Sequence, residues 1–180
     1  MKELSLHILD LAENSIDAEA KLLKITIKEL LKEDKLIIII EDDGKGMDEE
    51  FLSKVTNPFV TTRKTRGVGF GLSLMKASCE RCEGNFKIDS KKNVGTKLKA
   101  SFEHSHIDRA PLGKIEETIT TLINNNKDIN IVYRHVVNTN EFVLDTREIK
   151  EMLEDVDINN ADVLLWIRDY IKENLKELYL

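Results

Sequence analysis

One run of residues most constrains the fold of this chain. Residues 36–41 read LIIIIE, and a short continuous apolar run rich in β-branched residues is typical of a strand buried on both faces. Residues 23–30, LKITIKEL, alternate between apolar and polar side chains and predict a second strand, with a polar turn at residues 32–34 between the two. We therefore expect both strands to belong to one sheet.

The remaining segments complete an α+β pattern. Apolar side chains at three- and four-residue spacing predict helices, and short alternating runs separated by turn residues predict hairpins. The predicted helices span residues 2–19, 49–55, 68–82, 112–125, 146–154 and 161–179, and the hairpins pair residues 85–90 with 96–102 and 129–137 with 141–145. This order favours a two-layer α/β sandwich, in which a mixed sheet carries its helices on one face.

Charge is distributed unevenly along the chain. Residues 1–105 hold 18 basic and 18 acidic side chains, whereas residues 106–180 hold 9 and 15, so the second segment carries the whole formal charge of −6. We expect a domain at residues 1–104 and a separate acidic α+β extension at residues 105–180, which would offer a surface to a protein partner. The acidic balance argues against binding to nucleic acid.

No segment has the composition of a membrane span or an export signal. Apolar runs stay well short of the roughly 18–20 residues that a membrane-spanning helix needs, and acidic side chains interrupt the N-terminal segment MKELSLHILDLAENSID. The two cysteines make no disulfide framework. We therefore expect a cytoplasmic protein without a membrane partner.

The first predicted helix has a polar face. Asp10, Asn14 and Asp17 follow one another at spacings of four and three residues, so their side chains line up along the helix. Such a stripe is typical of a solvated helix face. It also suits Mg²⁺, which takes one or two oxygen ligands from protein and the rest from phosphates and water.

An acidic, glycine-containing loop follows the apolar strand. Its residues are Asp42-Asp43-Gly44-Lys45-Gly46, at the carboxyl end of a strand, where α/β sheets receive ligands. One aspartate there could accept a hydrogen bond from an exocyclic amine such as that of adenine, while the glycines let a base approach the backbone. The alternative is a simple acidic turn.

A second glycine-rich segment opens the helix predicted at 68–82. It reads Gly67-Val68-Gly69-Phe70-Gly71 and follows Arg63, Lys64 and Arg66. Bare amides at a helix N-terminus attract anions, so we interpret the segment as a phosphate-binding lid, with a flexible loop as the alternative. It matches neither the dinucleotide fingerprint nor the P-loop.

Together these motifs resemble the GHKL ATP-binding superfamily, which includes gyrase, the ninety-kilodalton heat-shock chaperones, histidine kinases and MutL. The resemblance covers roughly residues 1–103, and within the superfamily these motifs are most similar to the histidine-kinase branch. It rests on five segments in the family's order, namely Glu13 to Ala18, Asp42 to Met47, Asn57 to Arg63, Gly67 to Leu74, and Gly95-Thr96.

The resemblance implies ATP and Mg²⁺ as cofactors and assigns roles to single residues. Asn14 would bind the metal, Asp42 would read the adenine amino group, Thr96 would hold a water beside the base, and Phe59 would anchor the lid. The complete set of implied nucleotide-binding residues is Asn14, Asp17, Asp42, Gly44, Gly46, Met47, Phe59, Thr61, Thr62, Arg63, Lys64, Gly67, Val68, Gly69, Phe70, Gly71, Leu72 and Thr96.

Asp10 decides between the functions that the resemblance implies. Family members that hydrolyse ATP or phosphorylate serine carry a glutamate one turn before the metal-binding asparagine, and a carboxylate at Asp10 could act as this base. The first hypothesis is thus a regulatory ATPase or protein kinase subunit acting with a partner protein. The alternatives are a nucleotide-dependent binding module without catalysis and an anti-sigma-type serine kinase.

Other candidate residues have weaker support. Histidine kinases carry the acceptor histidine on a helical hairpin upstream of this domain, which residues 1–180 do not include, so we consider His104, His106 and His135 as candidates for self-phosphorylation. Cys79 and Cys82 have zinc-ligand spacing, but their place in a helix favours packing. The apolar stripe around Trp166 favours docking of the last helix over ligand binding.

Overall fold

The computed structural model describes residues 3–55 and 71–180. Within them, each predicted helix and strand is present, and no bound differs from the predicted one by more than three residues. The elements are α1 (Leu4–Asp17), β1 (Leu22–Leu30), β2 (Lys35–Asp42), α2 (Glu49–Val55), α3 (Gly71–Arg81), β3 (Phe86–Lys91), β4 (Gly95–Glu103), α4 (Ile115–Asn125), β5 (Asn130–Val137), β6 (Asn140–Asp145), α5 (Thr146–Leu153) and α6 (Ala161–Leu178).

Six strands form one mixed sheet in the order β3-β4-β2-β1-β5-β6. Neighbouring strands are antiparallel except β1 and β5, which are parallel. Alternate residues of β1 and β2 are buried on the side where α1, α3 and α4 pack, so the helices cover one face of the sheet. This confirms the predicted α+β sandwich.

The apolar strand β2 is buried on one face only, contrary to the prediction from its continuous isoleucine run. Leu36, Ile38 and Ile40 are buried under the helices, whereas Ile37 and Ile39 are half-buried on the open face. Ile39 lies between Thr26 and Lys99 in the register of the sheet. The helices of the described residues pack on the opposite face of the sheet, so this face of β2 has no helix of that part of the chain above it.

The C-terminal segment joins the same sheet. Strand β5 pairs with β1 along its length, and β6 forms the edge as a hairpin with β5. The prediction of a separate unit at residues 105–180 did not include this pairing. Because Ile131 and Tyr133 of β5 are fully buried beside Leu23 and Ile25 of β1, the two segments share one hydrophobic core.

Helix α4 begins at Ile115, three residues after the predicted start. The carbonyl oxygens of Pro111 and Leu112 accept hydrogen bonds from the amides of Leu4 and Ser5, at 2.9 and 2.8 Å. The first amides of a helix have no partner within it, so residues 111–112 stay extended to satisfy those of α1. This contact also ties the first helix to the C-terminal segment.

A buried polar cluster links four parts of the chain. The carboxylate of Glu29 on β1 contacts His135 Nε2 on β5 at 2.8 Å, His104 Nε2 after β4 at 2.9 Å, and the hydroxyl of Tyr179 after α6. The Tyr133 hydroxyl bonds to His135 Nδ1 at 2.7 Å. Burial alone would raise the pKa of Glu29, but the hydrogen bonds from His135, His104 and Tyr179 outweigh it and lower the pKa to about 2.

The helices of the described residues do not include one that is both long enough and apolar enough to cross a membrane. The last helix, α6, buries Ile167, Ile171 and Leu178. Trp166 and Tyr170 of its predicted apolar stripe are instead exposed by 51% and 40%. The stripe is therefore split between a buried face and an outward one.

Candidate functional site

The loop after β2 is shaped by close backbone contacts on two sides. The amide of Lys45 donates to the carbonyl oxygen of Ala18 at the end of α1, at 2.9 Å. Gly46 has a φ of +64°, and a Cβ there would lie 2.0 Å from the Lys91 carbonyl oxygen. Gly95 has a φ of +142°, and its Cβ would lie 2.0 Å from the Asp42 carbonyl oxygen. Only glycine fits at both positions.

Asp42, the last residue of β2, has both carboxylate oxygens held in place. Its Oδ2 accepts a hydrogen bond from the Ser15 hydroxyl of α1 at 2.6 Å, and its Oδ1 accepts one from the Gly44 amide at 2.8 Å. Each oxygen keeps a lone pair for a further donor. The carboxylate is therefore fixed in orientation and still able to accept a hydrogen bond.

Two hydroxyl groups lie beside Asp42 on the helix-covered face. Thr96 is its partner in the register of β4, and Ser90 is the partner of Thr96 on β3. The hydroxyls of Ser90 and Thr96 are 2.8 Å apart, and that of Ser90 accepts a hydrogen bond from the Met47 amide at 2.9 Å. Three strands thus present a row of oxygen atoms at one end of the sheet.

A cavity of about 270 Å³ lies between this row and α1. It is lined by Leu11, Asn14, Ser15, Asp17, Ala18, Ile40, Asp42, Lys45, Gly46, Met47, Phe51, Leu72, Ile88, Thr96 and Leu98. Aliphatic and aromatic side chains form most of the wall, and polar groups converge at one end. Such a cavity suits a flat heteroaromatic group with a hydrogen-bond donor.

The polar stripe of α1 runs along the cavity and past it. Asn14 and Asp17 contribute to the lining, whereas Asp10, one turn earlier, is exposed. A Cβ on Gly71 would lie 3.9 Å from Cβ of Asp10. Asp10 therefore lies beside Gly71, the first residue of α3 that the structure describes.

The oxygen atoms of this site suit Mg²⁺ better than a metal whose ligands all come from protein side chains. Within residues 3–55 and 71–180 there is no cluster of three or more His, Cys, Asp or Glu side chains that could hold a metal ion. The amide of Asn14 makes no side-chain hydrogen bond in this part of the chain. A single amide oxygen and a nearby carboxylate are the kind of donors that Mg²⁺ uses together with phosphates and water.

The structure brings together the sequence-predicted residues that it describes. Asn14, Asp17, Asp42, Gly46, Met47, Leu72 and Thr96 line one cavity, Gly44 bonds to Asp42, and Gly71 lies beside Asp10. The other predicted residues lie outside the described part of the chain, and these are Phe59, Thr61, Thr62, Arg63, Lys64, Gly67, Val68, Gly69 and Phe70.

Sequence reasoning missed several residues of the cavity. Ser15 is not among the predicted site residues, yet its hydroxyl donates a hydrogen bond to Asp42. The predicted hairpin places Ser90 opposite Thr96, so strand alternation indicates that Ser90 lies near the site. The hydrogen bond between the two hydroxyls was not predicted. Phe51 and Ile88 contribute apolar side chains to the wall of the cavity. Their spacing in the sequence alone did not indicate this role.

The candidate acceptor histidines are engaged in hydrogen bonds. His135 is 1% exposed and bonded at both ring nitrogens, to Tyr133 and Glu29. His104 Nε2 bonds to Glu29, and His106 Nδ1 accepts from the Asp108 amide. His135 therefore has no ring nitrogen left for a phosphoryl group, whereas His104 and His106 each use one ring nitrogen in these bonds.

Cys79 and Cys82 are packing residues. Both are fully buried and unpaired at the end of α3. Burial raises the pKa of Cys79 to about 12 and raises that of Cys82. Within the described residues, Cys79 and Cys82 are not part of a cluster of three or more His, Cys, Asp or Glu side chains that could hold a metal ion.

Sensor and sporulation kinases are among the curated proteins of similar sequence. The probable C4-dicarboxylate sensor kinase of Halalkalibacterium halodurans is 36% identical over 93 residues, which are 48% of this chain and 17% of that protein. Sporulation kinase E of Bacillus subtilis is 38% identical over 72 residues, which are 40% of this chain and 10% of that protein. The chain spans less than a fifth of the length of these relatives.

Solved structures share the fold at low sequence identity. The MutL ATPase domain of Aquifex aeolicus complexed with ADP gives a TM-score of 0.52 at 14% identity, covering 86% of this chain and 70% of that one. The N-terminal domain of a DNA repair protein gives 0.51 at 17% identity, covering 81% and 53%. The alignment with the MutL domain covers 86% of this chain, whereas the sequence motifs end near residue 103. The fold similarity therefore extends into the C-terminal segment.

One family model covers more than half of the chain. It describes histidine kinase-, DNA gyrase B-, and HSP90-like ATPases and matches residues 2–106. These residues include α1, the loop at Asp42 and the β3–β4 hairpin, which together build the cavity. The chain therefore belongs to the family of histidine kinase-, DNA gyrase B-, and HSP90-like ATPases.

Proposed function

We propose that the protein binds ATP with Mg²⁺ in the cavity between α1 and the sheet, and that it acts as a regulatory ATPase or protein kinase subunit on a partner protein. The observation that carries the proposal is the carboxylate of Asp42, held by Ser15 and Gly44 at the polar end of an apolar cavity. The family membership and the kinase relatives support the same function.

The adenine base would lie against the apolar wall. The carboxylate of Asp42 would accept a hydrogen bond from the exocyclic amino group of the base, and Thr96 would bind the base directly or through a water. Met47 and Ile88 would contact the ring, since both line the cavity. Charge-assisted hydrogen bonds to a fixed carboxylate favour adenine over guanine, which presents a carbonyl oxygen at that position.

The phosphates would extend along α1 toward α3. Asn14 would bind Mg²⁺ through its amide oxygen, with phosphate oxygens and water completing the metal's ligands. The metal would neutralise charge on the phosphates. The N-terminal end of α3, beside Asp10, would offer backbone amides to the terminal phosphate.

Asp10 would act as the general base. In hydrolysis, its carboxylate would accept a proton from water as the water oxygen bonds to the γ-phosphorus, and the bond from that phosphorus to the bridging oxygen would break to release ADP. In a kinase, a partner's hydroxyl or imidazole would take the place of water. Asp10 is exposed and makes no hydrogen bond or ion pair within the described residues, so it is free for this role.

Calorimetric titration with ATP in Mg²⁺ tests the binding site. We expect Asp42→Asn to weaken binding by about 1–3 kcal/mol, because the amide loses the charge that assists the hydrogen bond. Asp89→Asn is the matched control, since Asp89 is exposed on β3 and does not line the cavity. Absence of ATP binding by the unaltered protein, or equal losses in both variants, would contradict the proposal.

Measurement of phosphate release and label transfer distinguishes a catalytic protein from a nucleotide-dependent binding module. We expect Asp10→Asn to retain ATP binding and lose phosphate release or label transfer, whereas Asn14→Ala should lose the Mg²⁺ dependence of binding. If the unaltered protein shows no turnover with any partner while ATP still regulates binding to that partner, the non-catalytic alternative holds. Acid-stable label on a partner's serine would instead indicate the anti-sigma-type serine kinase.

A further inference from the structure

An apolar groove lies between α5 and α6, far along the chain from the ATP-site motifs. It has a volume of about 360 Å³ and is lined by Ile149, Met152, Leu153, Asp162, Val163 and Trp166. None of these residues lines the cavity at Asp42. Met152 is 70% exposed and Trp166 is 51% exposed, so two large apolar side chains face solvent at one place on the surface.

The groove is built on a fixed support. Ile149 of α5 and Ile167 of α6 are buried in the core and anchor the two helices. The Trp166 ring stacks on Tyr170 with centroids 5.0 Å apart, and Tyr170 packs edge-on against Phe142 at 5.6 Å. The indole is therefore held in one orientation before any partner arrives, which lowers the entropy cost of binding.

Acidic side chains surround the groove. Residues 146–180 contain nine acidic and five basic side chains. On α6, exposed acids precede Trp166 by one turn at Asp162 and follow it on the same face at Asp169 and Glu173. On α5, Glu148 lies one turn before Met152. The groove thus has a negative rim around an apolar floor.

Nearby basic side chains neutralise this rim only in part. The Lys150 ammonium donates to the Ile129 carbonyl oxygen and to Asn130 Oδ1, both at 3.0 Å, and so points toward β5. Arg147 pairs with Asp145 rather than with Glu148. Asp169 pairs with Arg168 at 3.0 Å, whereas Glu148, Asp162 and Glu173 form no ion pair in the described part of the chain.

We propose that this groove binds an amphipathic helix of a partner protein, with apolar side chains on one face flanked by Lys and Arg. The apolar floor complements the apolar face of such a helix, and the acidic rim complements its Lys and Arg side chains. A second copy of the chain fits less well, since two identical acidic rims would repel one another. The inference deepens the proposed action on a partner protein and names the surface and the chemistry of that partner.

The single tryptophan of the chain, Trp166, reports directly on the groove. The probe is a synthetic fourteen-residue peptide of Leu and Lys with all leucines on one helical face and no tryptophan. We expect saturable binding to the full chain with a blue shift of tryptophan emission, because the peptide removes the indole from water. A scrambled peptide of the same composition should give no shift.

Surface variants localise the binding. Met152→Asp places a charge on the exposed floor and should raise the Kd by roughly thirtyfold, which corresponds to the loss of about 2 kcal/mol at an interface hot spot. Ile107→Asp is the matched control, since Ile107 is 94% exposed and lies outside the groove. Asp169→Asn with Glu173→Gln should raise the Kd roughly fivefold at low salt, whereas Glu33→Gln with Glu80→Gln should not.

The outcomes separate this inference from the proposed function. No emission shift, or equal Kd changes in groove and control variants, overturns the inference. Sedimentation that shows a dimer made monomeric by Met152→Asp also overturns it, because the occupant is then a second copy. ATP titration of the same samples is independent of these results: loss of ATP binding contradicts the proposed function, and intact ATP binding without peptide binding contradicts the groove inference alone.

Discussion

Replacement of Glu29 by glutamine tests the buried cluster that joins the two segments of the chain. Hydrogen bonds from His135, His104 and Tyr179 lower the pKa of Glu29 from its ordinary value of 4.5 to about 2, against the opposing effect of burial. At roughly 1.4 kcal/mol for each pKa unit, the ionised carboxylate contributes about 3 kcal/mol to folding at neutral pH. Glutamine still accepts hydrogen bonds, so we expect a loss of about 2–3 kcal/mol.

The sign of the pH dependence follows from the lowered pKa. Because the folded protein holds Glu29 ionised more tightly than the unfolded chain, the contribution is complete above pH 4.5 and is lost as the pH falls toward about 2. The stability difference between the unaltered protein and Glu29→Gln should therefore be largest near neutral pH. It should shrink by about 2 kcal/mol between pH 5 and pH 3.

Urea unfolding monitored by circular dichroism measures this difference at each pH. Glu33→Gln is the matched control, because the Glu33 side chain is 61% exposed and its contact with Lys35 is 3.9 Å long. We expect the control to change the free energy of unfolding by less than about 0.5 kcal/mol at every pH. Equal stabilities for Glu29→Gln and the unaltered protein at pH 7, or a difference that does not shrink toward pH 3, would refute the reasoning.

Three further predictions concern the cavity and the thiols. Ser15→Ala removes a donor to Asp42 and should weaken ATP binding in calorimetry by about 0.5–1.5 kcal/mol; an unchanged Kd would contradict this. Gly46→Ala should lower the free energy of unfolding by more than about 1 kcal/mol, because Gly46 has a φ of +64° and an added Cβ would clash with the Lys91 carbonyl oxygen. Gly71→Ala should lower it much less, because the nearest atom to an added Cβ there is 3.6 Å away. Cys79 and Cys82 should react with a thiol reagent only on unfolding, since burial raises their pKa values; fast reaction of the native protein would show that they are not packed.

Local patterns predicted the helices and strands because these elements depend on residues close in sequence. The N-cap at Asp145 shows such a local contact, as its side chain accepts a hydrogen bond from the Arg147 amide at the start of α5. The alternation of β1 also contained an unused signal: Glu29 has the same parity as Leu23, Ile25 and Ile27 and so falls on the buried face. A charged residue at such a position indicates partners, although the sequence does not name them.

Contacts between distant residues account for what sequence reasoning missed. The open face of β2 depends on where the helix layer lies, and the later start of α4 depends on the amides of Leu4 and Ser5. Neither condition appears in the residues of the element itself. The bond from Ser15 to Asp42 spans 27 residues and requires α1 to lie over the end of β2.

The sequence by itself determined the order of the elements and the motifs of a nucleotide site, since periodicity, turn residues and motif spacing are properties of neighbouring residues. Only the tertiary structure decided that β5 lies parallel to β1, that Glu29 gathers His104, His135 and Tyr179, and that α5 and α6 leave Trp166 in an acid-rimmed groove. These features depend on pairings between segments up to 150 residues apart. Such pairings are selected by burial and hydrogen bonding in the whole fold, and no local pattern records them.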